Sequence, residues 1–144
     1  MNNKITAVKK AVLSVLTNNP NEGAEPMCVG EELACLIYEI GVEQECNALR
    51  PGVTYNLLTE AWGAFERERA AQTDTEPRAI SRAAVYQNLK NWREREPAIY
   101  SALLSMATVA NDGHRGRPAT LLVPRLENFE AWGAMMGKFY NNNH

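Results

Sequence analysis

The sequence predicts a mainly helical domain that carries one small β-hairpin, and three observations support this prediction. Apolar residues recur at helical spacing through most of the 144 residues. Two β-prone runs, residues 108–110 and 120–123, flank the turn-forming stretch NDGHRGRPA. Hydrophobic residues make up 45% and charged residues 22% of the chain, which is typical of a folded globular domain.

Two helices are predicted before residue 54. The first covers residues 4–17, and its apolar stripe is formed by Ile5, Val8, Val12 and Leu16. The second runs from Gly30 to Ile40 with Gly41 as its C-cap, and a loop is expected over residues 42–52. Residues 1–53 are therefore predicted to be an N-terminal helical extension that serves dimerisation or partner binding.

A longer helix is predicted from an N-cap at Thr54 to about Gln72. Its apolar face is formed by Leu58, Ala61, Trp62 and Phe65. The ERER run at residues 66–69 is expected to form a solvated face. The acidic positions Glu31, Glu32 and Glu60 are expected to be solvated as well.

Ser81 is predicted to cap the next helix, whose buried positions are Val85, Leu89 and Trp92. This helix should end near Glu96, because Pro97 disfavours helical geometry in the residue before it. Pro97 can begin a short helix, with apolar positions at Ile99, Leu103 and Met106. After the hairpin, a C-terminal helix within residues 126–144 is predicted from Phe129, Trp132, Met136 and Phe139 or Tyr140.

Charge is distributed unevenly along the chain. The formal net charge is −2, but residues 78–125 hold eight basic and three acidic residues, a net charge of +5 against −7 for the remainder. A basic segment on an acidic body is compatible with binding of a polyanion such as nucleic acid.

The Ser81 helix has the features of a DNA-reading helix. Its outer face is expected to carry Ser81, Arg82, Tyr86, Gln87 and Lys90, and Ala83 and Ala84 are small enough for close approach to a groove. Arg82 and Gln87 can read base edges, whereas Ser81, Tyr86 and Lys90 suit phosphates. Arg78, just before this helix, is included among the expected DNA contacts.

The tip of the hairpin carries a second basic group. Here His114, Arg115 and Arg117 alternate with Gly113 and Gly116. Two arginines on a projecting turn can enter a minor groove or contact phosphates, and glycine lets the backbone approach closely. The alternative interpretation is a solvated turn whose arginines serve solubility.

Taken in order, these two motifs resemble the winged helix-turn-helix transcriptional regulators, a broad superfamily that includes MarR-like and PadR-like repressors. The resemblance covers residues 54–125. It implies that the Ser81-Arg82-x-x-Val85-Tyr86 helix enters the major groove and that a Gly- and Arg-rich wing follows it. The function it implies is sequence-specific binding of double-stranded DNA in transcription regulation, with flanking N- and C-terminal helices.

The sequence departs from this family where residues 97–107 intervene between the Ser81 helix and the wing. A rival register therefore makes residues 81–95 the positioning helix and 97–107 the reader. That second helix offers only Tyr100, Ser101 and Ser105 as polar contacts and no cation. The Ser81 register is preferred for this reason.

Partners and location are predicted from the same features. The amphipathic terminal helices predict a homodimer that matches a palindromic site. No apolar run is long enough to span a membrane, so a cytoplasmic location is expected. The alternative function is a winged-helix protein–protein interaction module or adaptor in a DNA-processing, phage or plasmid complex, with the acidic N-terminal half as the partner surface.

No catalytic residues, metal ligands or cofactors are predicted. The chain has two histidines, and it lacks phosphate-binding, dinucleotide-binding and HExxH motifs. The spacing of the three cysteines, Cys28, Cys35 and Cys46, matches no structural zinc pattern and favours unpaired thiols. A redox or iron–sulfur sensor that uses these cysteines stays open as an alternative at this point.

Overall fold

The computed structural model describes residues 27–109 and 119–142. These residues form five helices and three strands. In chain order the elements are α1 (Val29–Cys46), β1 (Val53–Thr54), α2 (Tyr55–Thr73), α3 (Arg82–Arg95), α4 (Pro97–Leu103), β2 (Leu104–Val109), β3 (Ala119–Pro124) and α5 (Phe129–Asn142). The chain is thus mainly helical with a small sheet, and the predicted helix over residues 4–17 lies outside the described residues.

The sheet confirms the predicted hairpin and adds a strand to it. All pairings are antiparallel in the order β1-β3-β2, and Leu122 of β3 lies between Val53 and Met106. The first hairpin strand begins at Leu104 rather than at residue 108. The prediction that the short helix beginning at Pro97 includes Met106 is therefore wrong. The backbone is already extended at Leu104, which pairs with Pro124.

Helix α1 is longer than predicted. Gly41 is a buried residue inside the helix and not its C-cap, so most of the predicted loop from residue 42 is helical as far as Cys46. Close packing explains the glycine inside the helix, because a Cβ at position 41 would lie 2.5 Å from Cγ of Pro124. Glycine here allows α1 to approach the end of β3, and the helix continues past this contact.

The two predicted N-caps are confirmed. Oγ1 of Thr54 accepts a hydrogen bond of 3.1 Å from the backbone N–H of Leu57, and Oγ of Ser81 accepts one of 3.1 Å from Ala84. Each satisfies a backbone donor that the first turn of a helix otherwise leaves unpaired. Helix α3 ends at Arg95, as expected from the proline at position 97.

One hydrophobic core joins α1, the three-stranded sheet and the other helices. Its fully buried members include Leu33 and Ile37 from α1, Trp92 from α3, and Trp132 and Met136 from α5. The core does not divide at residue 53, because α1 and β1 pack within it. Among the described residues, no helix is both long and apolar enough to cross a membrane.

Two acidic residues that were expected to be solvated are buried. Glu66 is 3% exposed and Glu32 is 8% exposed. The prediction was wrong because it considered each helix alone, whereas arginines from α2 and from the α2–α3 loop neutralise both carboxylates.

We predict that Gly30→Ala destabilises the protein. A Cβ at Gly30 would lie 2.4 Å from Cβ of Trp92 and 2.9 Å from the backbone oxygen of Asn88, so α1 and α3 would have to separate. The expected loss in unfolding free energy is about 1–3 kcal/mol, measured by urea denaturation.

The matched control is Gly63→Ala, where the nearest atom is the flexible Nη1 of Arg67 at 3.5 Å. Higher helix propensity should make that variant up to about 1 kcal/mol more stable. Equal stability of the two variants would contradict the prediction.

Candidate nucleic-acid interface

Helix α3 presents a polar face because its apolar face is held by the core. Val85, Leu89 and Trp92 are buried, and α3 packs against α1, α2 and α4. Of the predicted reading residues, Ser81, Arg82, Tyr86 and Gln87 are exposed and Lys90 is half-buried. The helix therefore leaves these five side chains accessible along its length, together with the exposed Glu94.

The basic residues of this helix have no carboxylate partner among the residues that the structure describes. Arg82, Lys90, Arg93 and Arg95 form no ion pair with any residue in the described ranges. By contrast, Arg69 and Arg78 pair with glutamates, and Lys138 lies 3.0 Å from Glu31. The exposed face of α3 thus carries positive charge that the surrounding fold does not neutralise, which suits an anionic ligand.

Two polar side chains on this surface already make hydrogen bonds within α3. The Ser81 hydroxyl oxygen caps the helix, which leaves its own proton to donate elsewhere. Nε2 of Gln87 donates a hydrogen bond of 2.8 Å to Oδ1 of Asn91 one turn later. This contact orients the exposed Gln87 amide and keeps its carbonyl oxygen available as an acceptor.

An aromatic group borders α3, and sequence reasoning missed most of it. The ring of Tyr86, which is 50% exposed, meets the ring of Tyr55 edge-on at 5.9 Å. Farther along, the guanidinium of Arg93 lies 5.8 Å from the ring centre of Tyr100, which also contacts Trp92. No sequence signal links these elements, because Tyr55 is the first residue of α2 and reaches α3 only through the tertiary fold.

The charges around this aromatic group are close enough to affect ionisation. Burial raises the pKa of Tyr55 above its usual value, and the Tyr100 and Tyr86 hydroxyls contribute in the same direction. The cations Arg93 and Arg82 oppose this rise in pKa. Both arginines therefore act on the same patch of surface as the Tyr55 ring, and the patch combines donors, cations and aromatic edges.

Arg78 occupies a different environment from the other predicted site residues. Its Nε lies 3.0 Å from Oε2 of Glu66, and its Nη2 lies 3.3 Å from Oε2 of Glu32 and contacts Oε1 of Glu66. Arg69 also pairs with both carboxylates, at 3.0 Å for Glu32. We name Glu32, Glu66, Arg69 and Arg78 the inter-helix ion cluster. The charged head of Arg78 is thus engaged by α1 and α2 rather than grouped with the α3 cations.

The predicted wing residues lie between two strands that the structure does describe. β2 ends at Val109 and β3 begins at Ala119, so nine residues, 110–118, join the paired strands. His114, Arg115 and Arg117 fall in this segment and lie outside the described residues. The pairing of Val109 with Ala119 brings the two ends of the segment together.

The three cysteines do not converge. Cys28 caps α1, Cys35 is buried in its middle and Cys46 is exposed at its end. At 1.5 Å of rise per residue, neighbouring members are separated by about 10 and 16 Å along the helix, which is too far for a shared metal or cluster. Within the described ranges there is also no group of three or more potential metal-ligating side chains.

A separate apolar feature lies at the other end of α1. A shallow cleft of about 440 Å³ is lined by the loop after α1 and the end of β3. Leu49 on its rim is 61% exposed, and the charged residues that line it are Glu45, Glu127 and Arg50. None of the predicted DNA-binding residues that the structure describes lines this cleft. Of the acidic residues in the N-terminal half that the sequence suggested as a partner surface, Glu45 lines this cleft.

Comparison with known proteins gives no relative for this chain: no protein-family model, curated protein or solved structure matches it. Its function is therefore argued from its own residues and geometry.

We predict that the cysteines differ sharply in reactivity. Burial raises the pKa of Cys35 well above its usual value, and neighbouring glutamates add to this, so it holds no reactive thiolate at neutral pH. A maleimide should label the exposed Cys46 in the native protein and Cys35 only after unfolding, as mapped by peptide mass spectrometry. Rapid native labelling of Cys35 at the rate of Cys46 would show that the core around α1 opens.

Proposed function

We propose that this protein is a sequence-specific, double-stranded DNA-binding transcriptional regulator of the winged helix-turn-helix type. The observation that carries this proposal is the concentration of unpaired positive charge on α3. Of the seven described basic residues without a carboxylate partner, four lie on this one helix, next to exposed polar and aromatic side chains.

The position of the hairpin supports the same proposal. In the proposed arrangement, α3 enters the major groove and residues 110–118 form a wing on the minor groove or on phosphates. β3 is paired on both sides, by β2 and by β1, and β1 leads directly into α2. The base of the proposed wing is therefore attached to the same body that holds α3, which favours a fixed spacing between the two contacts.

The choice of α3 as the reading helix is favoured over residues 97–107. The rival helix contains seven residues and ends at Leu103, and the rest of that range is strand. It holds no cation, and its two buried residues, Tyr100 and Leu103, attach it to the core. Helix α3 is twice as long, at 14 residues, and carries the four free cations.

A homodimer remains a prediction, and α5 gives it little support. Trp132, Met136 and Phe139, whose pattern suggested a dimer helix, are buried in the core of a single chain. A two-fold assembly on a palindromic site would therefore need surfaces other than these residues. Sedimentation of the free protein and of its DNA complex tests this part of the proposal, and a cytoplasmic location is expected with it.

A protein–protein interaction module is the second candidate function. It is favoured by the cleft beside α1, where the exposed Leu49 is bordered by Glu45 and Glu127. Two carboxylates beside Arg50 and an apolar side chain suit an apolar partner segment that carries charged side chains. This function does not require the α3 cations.

We expect the protein to bind duplex DNA in a salt-dependent manner through α3 and the wing. In fluorescence titrations at several salt concentrations, Arg82→Ala/Lys90→Ala and Arg115→Ala/Arg117→Ala should each weaken binding to all sequences. Each lost phosphate contact should reduce the slope of log K against log salt by about 0.9.

The matched control for these titrations is Arg50→Ala. Arg50 is an exposed arginine at the opposite end of α1 from the α1–α3 contact, so its loss should leave the slope unchanged. Absence of salt-dependent binding by the wild type would refute the DNA-binding proposal and favour the interaction module. Equal effects of all three variants would indicate non-specific charge attraction.

We further predict that Gln87→Ala changes sequence preference rather than overall affinity. An amide can pair with an adenine edge, and a specific contact contributes roughly 1–3 kcal/mol per base pair. Binding to a randomised duplex pool followed by sequencing should show relaxed preference at one position of the selected site. Gln72→Ala, which removes an exposed amide from the end of α2, is the control. A uniform loss across all sequences would contradict a base-reading role for Gln87.

A further inference from the structure

The backbone N–H of Thr75 donates a hydrogen bond of 3.0 Å to Ala70 at the end of α2. Beyond that turn, the described residues of the α2–α3 loop contact the body in two ways. One is apolar, since Ile80 packs against the hydrophobic core. The other is the inter-helix ion cluster, in which Arg78 of the loop contacts Glu32 of α1 and Glu66 of α2. Other residues of the loop, from Thr75 to Pro77, are exposed. The course of the chain into α3 therefore depends on very few contacts.

Burial makes the ion cluster sensitive to the loss of any member. The side chains of Glu66 and Glu32 are 4% and 10% exposed, and burial raises the pKa of Glu32 while the adjacent Arg78 opposes that rise. Two guanidiniums balance the two carboxylates. Removal of one partner from such a cluster leaves an uncompensated buried charge, which is far less favourable than the intact set.

The geometry of Arg78 uses the planar shape of its guanidinium. Nε and Nη2 are directed at the two oxygens of Glu66, and Nη2 also reaches Glu32. A lysine has the same charge but cannot make this two-point contact. Three residues after Arg78, Ser81 caps α3, so the ion cluster holds the chain close to the first turn of this helix.

We propose that Arg78 is a positioning residue that does not contact DNA: through Glu32 and Glu66 it fixes the loop that sets the placement of α3. This inference rests on the proposed DNA-binding function. It replaces the sequence-based expectation that Arg78 is itself a DNA contact.

Two substitutions separate positioning from direct contact. Glu32→Gln removes a negative charge, so on charge alone it should leave DNA affinity unchanged or raise it. Under the positioning role it should lower affinity, because Arg78 loses one anchor. Arg78→Lys keeps the charge that a phosphate contact needs but loses the two-point contact with Glu66. Each variant should bind the duplex that the wild type selects from the randomised pool about tenfold more weakly than the wild type does.

Matched controls account for the general effect of each change. Glu60→Gln removes a charge from an exposed position of α2, and Arg67→Lys makes the same replacement at an exposed arginine without an ion pair. Both should bind as the wild type does. All affinities are measured at one salt concentration and at a temperature where far-ultraviolet circular dichroism shows each variant to be folded.

The combined variant tests whether the two residues act together. If Arg78 acts through Glu32, then Glu32→Gln/Arg78→Lys should weaken binding by much less than the product of the two single effects. Because Glu32→Gln preserves the shape of the side chain, it provides a test even if Arg78→Lys fails to fold.

The outcomes distinguish this inference from the function on which it rests. Wild-type protein that binds no DNA would refute both. The positioning role alone would be overturned by two results found together. The first is wild-type binding that depends on salt and is weakened by Arg82→Ala/Lys90→Ala. The second is near wild-type affinity of both Glu32→Gln and Arg78→Lys. Independent, multiplicative effects of the two substitutions would overturn the part of the proposal that runs through Glu32, because Arg78 would then be held by Glu66 alone.

Discussion

Two glycines allow α1 to lie directly against both α3 and the sheet, and the other elements are arranged around this helix. At Gly30 the contact is with Trp92 and Asn88 of α3, and at Gly41 it is with Pro124 at the end of β3. Because protein interiors are packed at high density, a single added methyl group at either point would force two elements apart. Helix α1 also contacts α2, α5, β1 and β3, so it connects α3 to the sheet.

This packing explains why one face of α3 is free. The helix satisfies its apolar residues against α1 and α2, and its first turn is capped by its own Ser81. Its cations form no ion pair with the described residues. Within the body, by contrast, Arg69 and Arg78 neutralise buried carboxylates. The same residue type thus has two roles, which only the surroundings distinguish.

The separation of charge has a consequence for how the proposed complex would form. The cleft and the cations of α3 lie toward opposite ends of α1: this helix contacts α3 at Gly30, and its Gly41 lies against Pro124, which lines the cleft. In the proposed complex a polyanion would be attracted to the α3 cations, which would orient the encounter before any specific contact is made. A low overall net charge is compatible with such orientation, because the field near each surface depends on the local charges.

The sequence by itself determined the local structure: the caps at Thr54 and Ser81, the end of α3 before Pro97, the buried stripe of α3 and the paired strands of the hairpin. These features depend on backbone chemistry and on spacing within a few residues, and both can be read from the chain. The tertiary structure alone decided the extension of α1 through Gly41, the third strand β1, the burial of Glu32 and Glu66, and the contact of Tyr55 with Tyr86. Each of these depends on a partner that is remote in sequence. Arg78 lies 46 positions from Glu32 and 12 from Glu66, so no local pattern could indicate that its charge would be used inside the protein.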